Sequence, residues 1–178
     1  MKKIIALGAS SSRNSINKTL AIHAASKVAD ATVAALDLND YVLPLYSVDA
    51  ENELGIPEDA HQFAEKIACA NGLIISLAEH NGSYTAIFKN LIDWLSRIDI
   101  KVWKDLPMLL MATSPGGQGG ASVLATAKTG FPYMGGNVVA DFSLPSFYDN
   151  FSNTGITNQE LAARLDEKVA LFEKSLIE

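Results

Sequence analysis

The sequence predicts an α/β domain, a five-stranded parallel sheet with helices on both faces, and two observations carry that prediction. Near-continuous apolar runs recur at residues 4–7, 33–36, 73–77, 107–113 and 138–142; unbroken runs, in contrast to alternating ones, mark strands covered on both faces. The segments between them are mostly helical in period, so strand and helix alternate along the whole chain, as in a doubly wound sheet.

The first strand runs into the loop "GASSSRNSINK", residues 8–18, and then into a helix whose apolar face is Ile16, Leu20, Ala24 and Val28. After the second strand, residues 41–56 read as irregular. A helix follows, with Pro57 at its first position and Ala60, Phe63, Ala64, Ile67 and Ala68 on one face. The third strand leads through "SLAEHNGSYT" to the helix "AIFKNLIDWLSRI". That helix carries two adjoining apolar stripes, Phe88, Ile92 and Leu95 beside Ile87, Leu91, Trp94 and Ile98. A surface helix needs one stripe. The second requires a cover, either residues 145–155 of the same chain or a second subunit, and a homodimer is expected. The fourth strand ends in "TSPGGQGGAS", and the fifth in residues 145–156, an aromatic-bearing stretch expected to be an irregular surface flap. Leu161, Leu165, Val169, Phe172 and Leu176 define the last helix, behind a capping box of Thr157 and Glu160.

A chain of 178 residues is read as a single domain, 1–178, with room for a substantial core. A net charge of -6 argues against nucleic acid or an anionic membrane as partner, since both call for a basic surface. The start "MKKIIALGAS" has too short an apolar run for a signal peptide, and no stretch of about 18 apolar residues follows. Cys69 stands alone and is expected to be buried packing in a reducing, cytoplasmic setting. His23, His61 and His80 are scattered, without the spacing of a metal site.

With the flavodoxin-like strand order 2-1-3-4-5, ligands bind outside the carboxyl ends of the strands, where the loops after strands 1, 3 and 4 converge. The first loop offers Ser10, Ser11, Ser12 and Arg13, then Ser15 and Asn17, between a strand and a helix N-terminus, which is anion-binding geometry. In the second, Asn81-Gly82 is a turn dipeptide, and Ser83 or Thr85 is placed to cap the next helix. Glu79 and His80 are adjacent, so they read as solvent-facing residues before they read as an acid–base pair. In the third, Gly116, Gly117, Gly119 and Gly120 suit either close approach to a flat ligand or a flexible connection. No Ser-His-Asp order, paired carboxylates or Gly-Lys-Ser/Thr motif is present. An anion anchor with bare backbone and no acid–base team suits a cofactor that carries the chemistry.

These residues resemble the NAD(P)H-dependent FMN reductases of flavodoxin-like fold, a family that includes quinone, azo-dye and chromate reductases. The first motif is matched by Gly8, Ser10, Arg13, Ser15 and Asn17. The second is matched by Glu79, Asn81, Gly82 and Ser83 and then by Lys89, Asn90, Ile92, Asp93, Trp94, Leu95, Ser96 and Arg97. Ala78, His80, Thr85 and Ala86 depart from the family's proline, tyrosine, proline and glycine at positions that border the flavin ring there. The resemblance implies that Ser10, Arg13, Ser15 and Asn17, with Ile16 beside them, hold the FMN phosphate. Glu79, His80, Asn81, Gly82 and Ser83 would meet the polar edge of the ring, and Ser114, Pro115, Gly116 and Gly117 its other side. It further implies NAD(P)H as hydride donor, a quinone or similar small acceptor, ping-pong turnover, and a homodimer or tetramer with its flavin sites near the interface. Two other readings stay open, a flavodoxin-type electron carrier and a non-catalytic flavin-binding regulator.

Overall fold

The computed structural model describes residues 1–176. Strand β1 (Lys2–Ala9) is followed by helix α1 (Ile16–Ala25), strand β2 (Ala31–Leu36) and, after a single 3-10 turn, helices α2 (Val48–Leu54) and α3 (Glu58–Ala68). Strand β3 (Gly72–Leu77) runs into a small hairpin, β4 (Glu79–His80) and β5 (Ser83–Tyr84), and then helix α4 (Ala86–Ile98). Strand β6 (Pro107–Thr113), helix α5 (Ala121–Gly130) and strand β7 (Asn137–Leu144) complete the sheet. The short helix α6 (Phe147–Asn150), the hairpin β8 (Phe151–Ser152) and β9 (Gly155–Ile156), and helix α7 (Gln159–Ser175) close the chain.

The five long strands pair in parallel in the order β2-β1-β3-β6-β7, which in chain order is the predicted flavodoxin-like 2-1-3-4-5. Because side chains alternate across a strand, one run of apolar residues supplies two cores. Ile4, Ala6, Ile74, Leu109 and Met111 meet Leu20 and Ala24 of α1 and Leu165 and Phe172 of α7. Ile5, Leu7, Leu73, Ile75 and Leu110 meet Phe63 and Ile67 of α3, Phe88 and Leu91 of α4, and Val123 of α5. Each large apolar side chain taken out of water this way stabilises the fold by about 1.5–3 kcal/mol.

Several expectations are corrected. Strand β2 is not covered on both faces: it is an edge strand, and Thr32, Val33, Ala34 and Ala35 are exposed. Cys69 is exposed at the end of α3, because that helix stops at Ala68, itself exposed, and turns the thiol outward. Pro57 stands at the cap of α3, one residue before its first turn. The cap of α7 is Asn158, whose side chain accepts from Leu161 N–H at 3.1 Å. Thr157 instead donates its N–H to Asn150 O, tying the start of the helix to the end of α6 across the intervening hairpin.

Neither supposedly irregular stretch is structureless. Ser47 caps α2 by accepting from Ala50 N–H at 3.0 Å, and residues 145–156 contain α6 and the β8–β9 hairpin. Nor is the second stripe of α4 free for a partner. Trp94 is fully buried beneath residues 43–46, its indole N–H donating to Pro44 O at 2.7 Å and its ring meeting Tyr46 edge-on at 5.1 Å. Asn90 accepts from Tyr46 N–H (2.8 Å) and donates to Pro44 O (3.0 Å), and Arg97 pairs with Glu51 at 3.0 Å. Asn90, Trp94 and Arg97 of the second motif thus clamp the chain's own 43–51 excursion onto α4, whereas Lys89 and Asp93 pair with each other along the helix.

Candidate functional site

At the carboxyl end of β1 the backbone turns at once. Ser10 N–H donates to Gly8 O at 2.8 Å, and Ser12 N–H donates to Ser10 Oγ at 3.1 Å. With its oxygen so engaged, the Ser10 hydroxyl keeps its proton to offer. Ser15 caps α1 by accepting from Lys18 N–H at 3.1 Å. The N–H groups of Ile16 and Asn17 then lack carbonyl partners within the helix, and together with the helix dipole they form an anion seat. Lys18 is spent elsewhere, on Asp37 at 2.6 Å, and the hydrogen bond it donates holds that carboxyl below its usual range. Arg13 is exposed and makes no ion pair among the described residues, so its guanidinium is the loop's available cation.

Asn17 is the hub that joins this loop to the third. It is 2 % exposed; its amide donates to Thr113 O (3.1 Å) and accepts from Thr113 N–H (3.0 Å) and the Ser76 hydroxyl (2.7 Å). One side chain therefore sets α1 against the ends of β3 and β6.

The second loop is the β4–β5 hairpin, whose tip Asn81 and Gly82 both take positive φ, 53° and 76°, as an Asn-Gly hairpin turn does. Glu79 has a structural role: its carboxylate accepts from Val123 N–H at 2.9 Å, in the first turn of α5, where a negative charge is favoured. His80 is exposed. Thr85 occupies the cap position of α4, but its hydroxyl donates to Ala9 O at 3.0 Å instead of capping, which fastens the hairpin to β1. Tyr84 leans on Phe88 and Phe131 at ring distances of 5.7 and 6.2 Å, and burial pushes its phenol up to about 12, so it anchors the hairpin as a neutral group.

The third loop divides by function. Gly119 and Gly120 have φ of 58° and 74°, and a Cβ on either would collide, with Ser143 Oγ in the first case and Ala112 Cβ in the second. Those two are required by the turn into α5. Gly116 and Gly117 face open space.

The three loops enclose a cleft of about 290 Å³, near the lower end of the roughly 300–1,000 Å³ usual for small-molecule sites. Of the residues expected there, Ser10, Ser15, Ile16, Asn17, Glu79, His80, Ser114 and Pro115 line it. Arg13, Asn81, Gly82, Ser83, Gly116 and Gly117 stand outside the lining as exposed loop residues. Ser12, offered by the first loop, and Ala78, a departure from the family pattern, also line it, as do Asn14, Thr113 and Tyr148, which were not anticipated as site residues. Ser12 and Asn14 were legible as neighbours in the same loop. Tyr148 comes from α6, just past the carboxyl end of β7, and had no sequence signal beyond being aromatic. For a phosphate-bearing flat cofactor the fit is direct: hydroxyls and helix amides lie at one end, and open backbone lies at the other.

The family described as NADPH-dependent FMN reductase matches residues 2–149. A 2-hydroxy-1,4-benzoquinone reductase of a Burkholderia species is 38% identical over 120 residues, 67% of this chain and 64% of that protein. A quinone reductase of Escherichia coli K12 is 39% identical over 79 residues, 44% of this chain and 42% of that protein. The chain thus spans less than two thirds of the length of either curated relative. The solved flavoenzyme NAD(P)H:(acceptor) oxidoreductase FerB of Paracoccus denitrificans superposes with a TM-score of 0.79 at 23% identity, over 99% of this chain and 97% of that one, a likeness of fold. Since the family match takes in all three cleft-forming loops and all five strands of the sheet, the chain belongs to the NADPH-dependent FMN reductase family.

Proposed function

We propose that residues 1–178 form a single-domain NAD(P)H-dependent FMN oxidoreductase that reduces a quinone or a similar small acceptor by ping-pong turnover. The observation that carries this reading is the cleft itself. An anion seat of Ser10, Ser15 and the first amides of α1 adjoins two loops that present backbone, and Glu79, the one acid among the described residues that line the cleft, is committed to capping α5. FMN, when bound, supplies the redox chemistry, taking a hydride from the nicotinamide and passing it to the acceptor. The chain's residues bind and orient. Ser10, Ser15 and the amides of Ile16 and Asn17 hold the phosphate with Arg13 as counter-charge. Backbone from Glu79 to Ser83 meets the polar edge of the ring, and Ser114 to Gly117 border its other side. Quinones as acceptors are supported by the names of the two curated relatives.

The test is to titrate the purified apoprotein with FMN and with riboflavin, and then to vary NAD(P)H and a quinone in steady state. Tight FMN binding, weaker riboflavin binding and parallel double-reciprocal lines are expected. Equal affinity for the two flavins would remove the phosphate seat, and intersecting lines would overturn the ping-pong scheme. FMN retention without quinone turnover would favour the electron-carrier reading.

The homodimer is retained on a different surface from the stripe that suggested it. The excursion clamped over α4 and its flanks, residues 42–54, expose Val42, Leu45, Val48 and Leu54 at 80%, 81%, 64% and 63%, and a segment that concentrates large exposed apolar side chains is a candidate interface. Wild type is expected to sediment as a dimer or tetramer at micromolar concentration. Leu45→Glu, at a site already in solvent, should yield a folded monomer. A wild-type monomer would defeat this. The exposed free thiol of Cys69 fits a reducing, cytoplasmic setting.

A further inference from the structure

We propose that Tyr148 is an additional cofactor-contacting residue, carried on a flap formed by residues 145–156 that covers the cleft and sets how slowly FMN leaves. The inference rests on FMN as the cleft's ligand. Tyr148 lines the same cleft as the phosphate loop, yet it is 71% exposed. Its ring meets Phe147 edge-on, at 5.6 Å and 88°, and the rest of it stands in water, free to cover a flat ligand that lies beneath it.

The flap is built to hold that ring in place. Its neighbour on α6, Phe147, turns the other way and is 7% exposed, stacked on Phe151 at 4.7 Å with the rings 16° from parallel. Phe151 meets the edge of His23 on α1 at 5.2 Å. Gly155 lies so close to the His23 imidazole that a Cβ there would collide with it. One end of the flap is thereby seated on α1, the helix whose N-terminus forms the anion seat.

The other end is seated on the third loop. Ser146 N–H donates to Gly116 O at 2.9 Å, and Phe147 N–H donates to Ser114 O at 3.0 Å. Between these bonds Ser146 takes a left-handed conformation, φ 45° and ψ 61°, which a residue with a Cβ keeps only where its surroundings enforce it. That reversal sends Phe147 inward and leaves Tyr148 at the cleft. The flap is therefore fixed at one end to the last turn of α1, through His23, and at the other to the third loop, and Tyr148 is the aromatic group it leaves at the cleft.

The experiment reconstitutes the apoprotein with FMN and follows the recovery of FMN fluorescence after dilution. Tyr148→Ala is expected to raise the dissociation rate at least tenfold, with the thermal midpoint of the apoprotein lowered only slightly because the ring is mostly in solvent and packs on one edge of Phe147. Tyr148→Phe, which keeps the ring, should stay within twofold of wild type. An alanine variant releasing FMN at the wild-type rate would overturn the proposal while leaving the FMN function standing, as would a phenylalanine variant as fast as alanine. A wild-type chain that binds no FMN overturns both.

Discussion

Replacing Asn17 by Leu is expected to lower the free energy of unfolding by about 3–5 kcal/mol and to abolish measurable FMN binding. Leucine keeps the branched shape and the number of side-chain heavy atoms but is bulkier, so some overpacking adds to the loss of the hydrogen bonds. Three of them disappear together, and they leave the Thr113 N–H, the Thr113 carbonyl and the Ser76 hydroxyl without their partner at sites 0–1% exposed. Each buried group left unpaired costs roughly 1–3 kcal/mol, and partial relaxation keeps the sum below the maximum. The functional loss has the same cause. Asn17 is what sets the α1 amides against the third loop, and without it the two ends of the cleft lose their register. Urea denaturation monitored by circular dichroism, with FMN titration of the folded fraction, measures both effects. A loss under about 1 kcal/mol would show that the clasp contributes little.

Gly8→Ala is expected to destabilise the fold by about 3 kcal/mol, at the upper end of the ordinary cost of overpacking, and to weaken FMN binding more than tenfold. The reason is steric. A Cβ at Gly8 would land on the backbone nitrogen, the Cα and the Cβ of Lys18, and no rotamer change moves two backbone atoms. Helix α1 would have to lift away from β1, carrying Ser15, Ile16 and Asn17 with it. Gly116→Ala is the matched comparison, since nothing lies within 4 Å of its Cβ position. It should leave stability unchanged, so any effect on FMN affinity there reports contact with the ligand. If Gly8→Ala unfolds at the wild-type urea midpoint, the close approach of β1 and α1 is not a constraint.

What the sequence determined by itself was local in origin. Runs such as residues 73–77 and 107–113 announce buried strands because a strand covered on both faces cannot afford polar residues on either. The handedness and economy of crossovers then leave few orders for five parallel strands. The loops after the first, third and fourth strands converge for the same topological reason, so Ser10, Ser15 and Asn17 could be named from the loop itself, and Glu79 and Ser114 from the family resemblance, before any coordinates.

The tertiary structure decided whatever depended on which distant residues meet. The second stripe of α4 was visible in Leu91 and Trp94, but that Pro44 and Tyr46 cover it is a contact across some 50 positions of chain, with no local signature. Glu79 looked like a solvent-facing acid until α5 brought the Val123 amide to it. Thr85 carried a capping signal that a longer-range acceptor, the Ala9 carbonyl, outcompeted. Cys69 and β2 read as buried from their apolar neighbours, yet burial depends on what lies opposite, and opposite them lies solvent. Tyr148 joins the cleft only because Ser146 reverses the chain between two hydrogen bonds to the third loop. Periodicity records which face a residue occupies along its own element, whereas the identity of the partner on that face is set by packing across the whole chain.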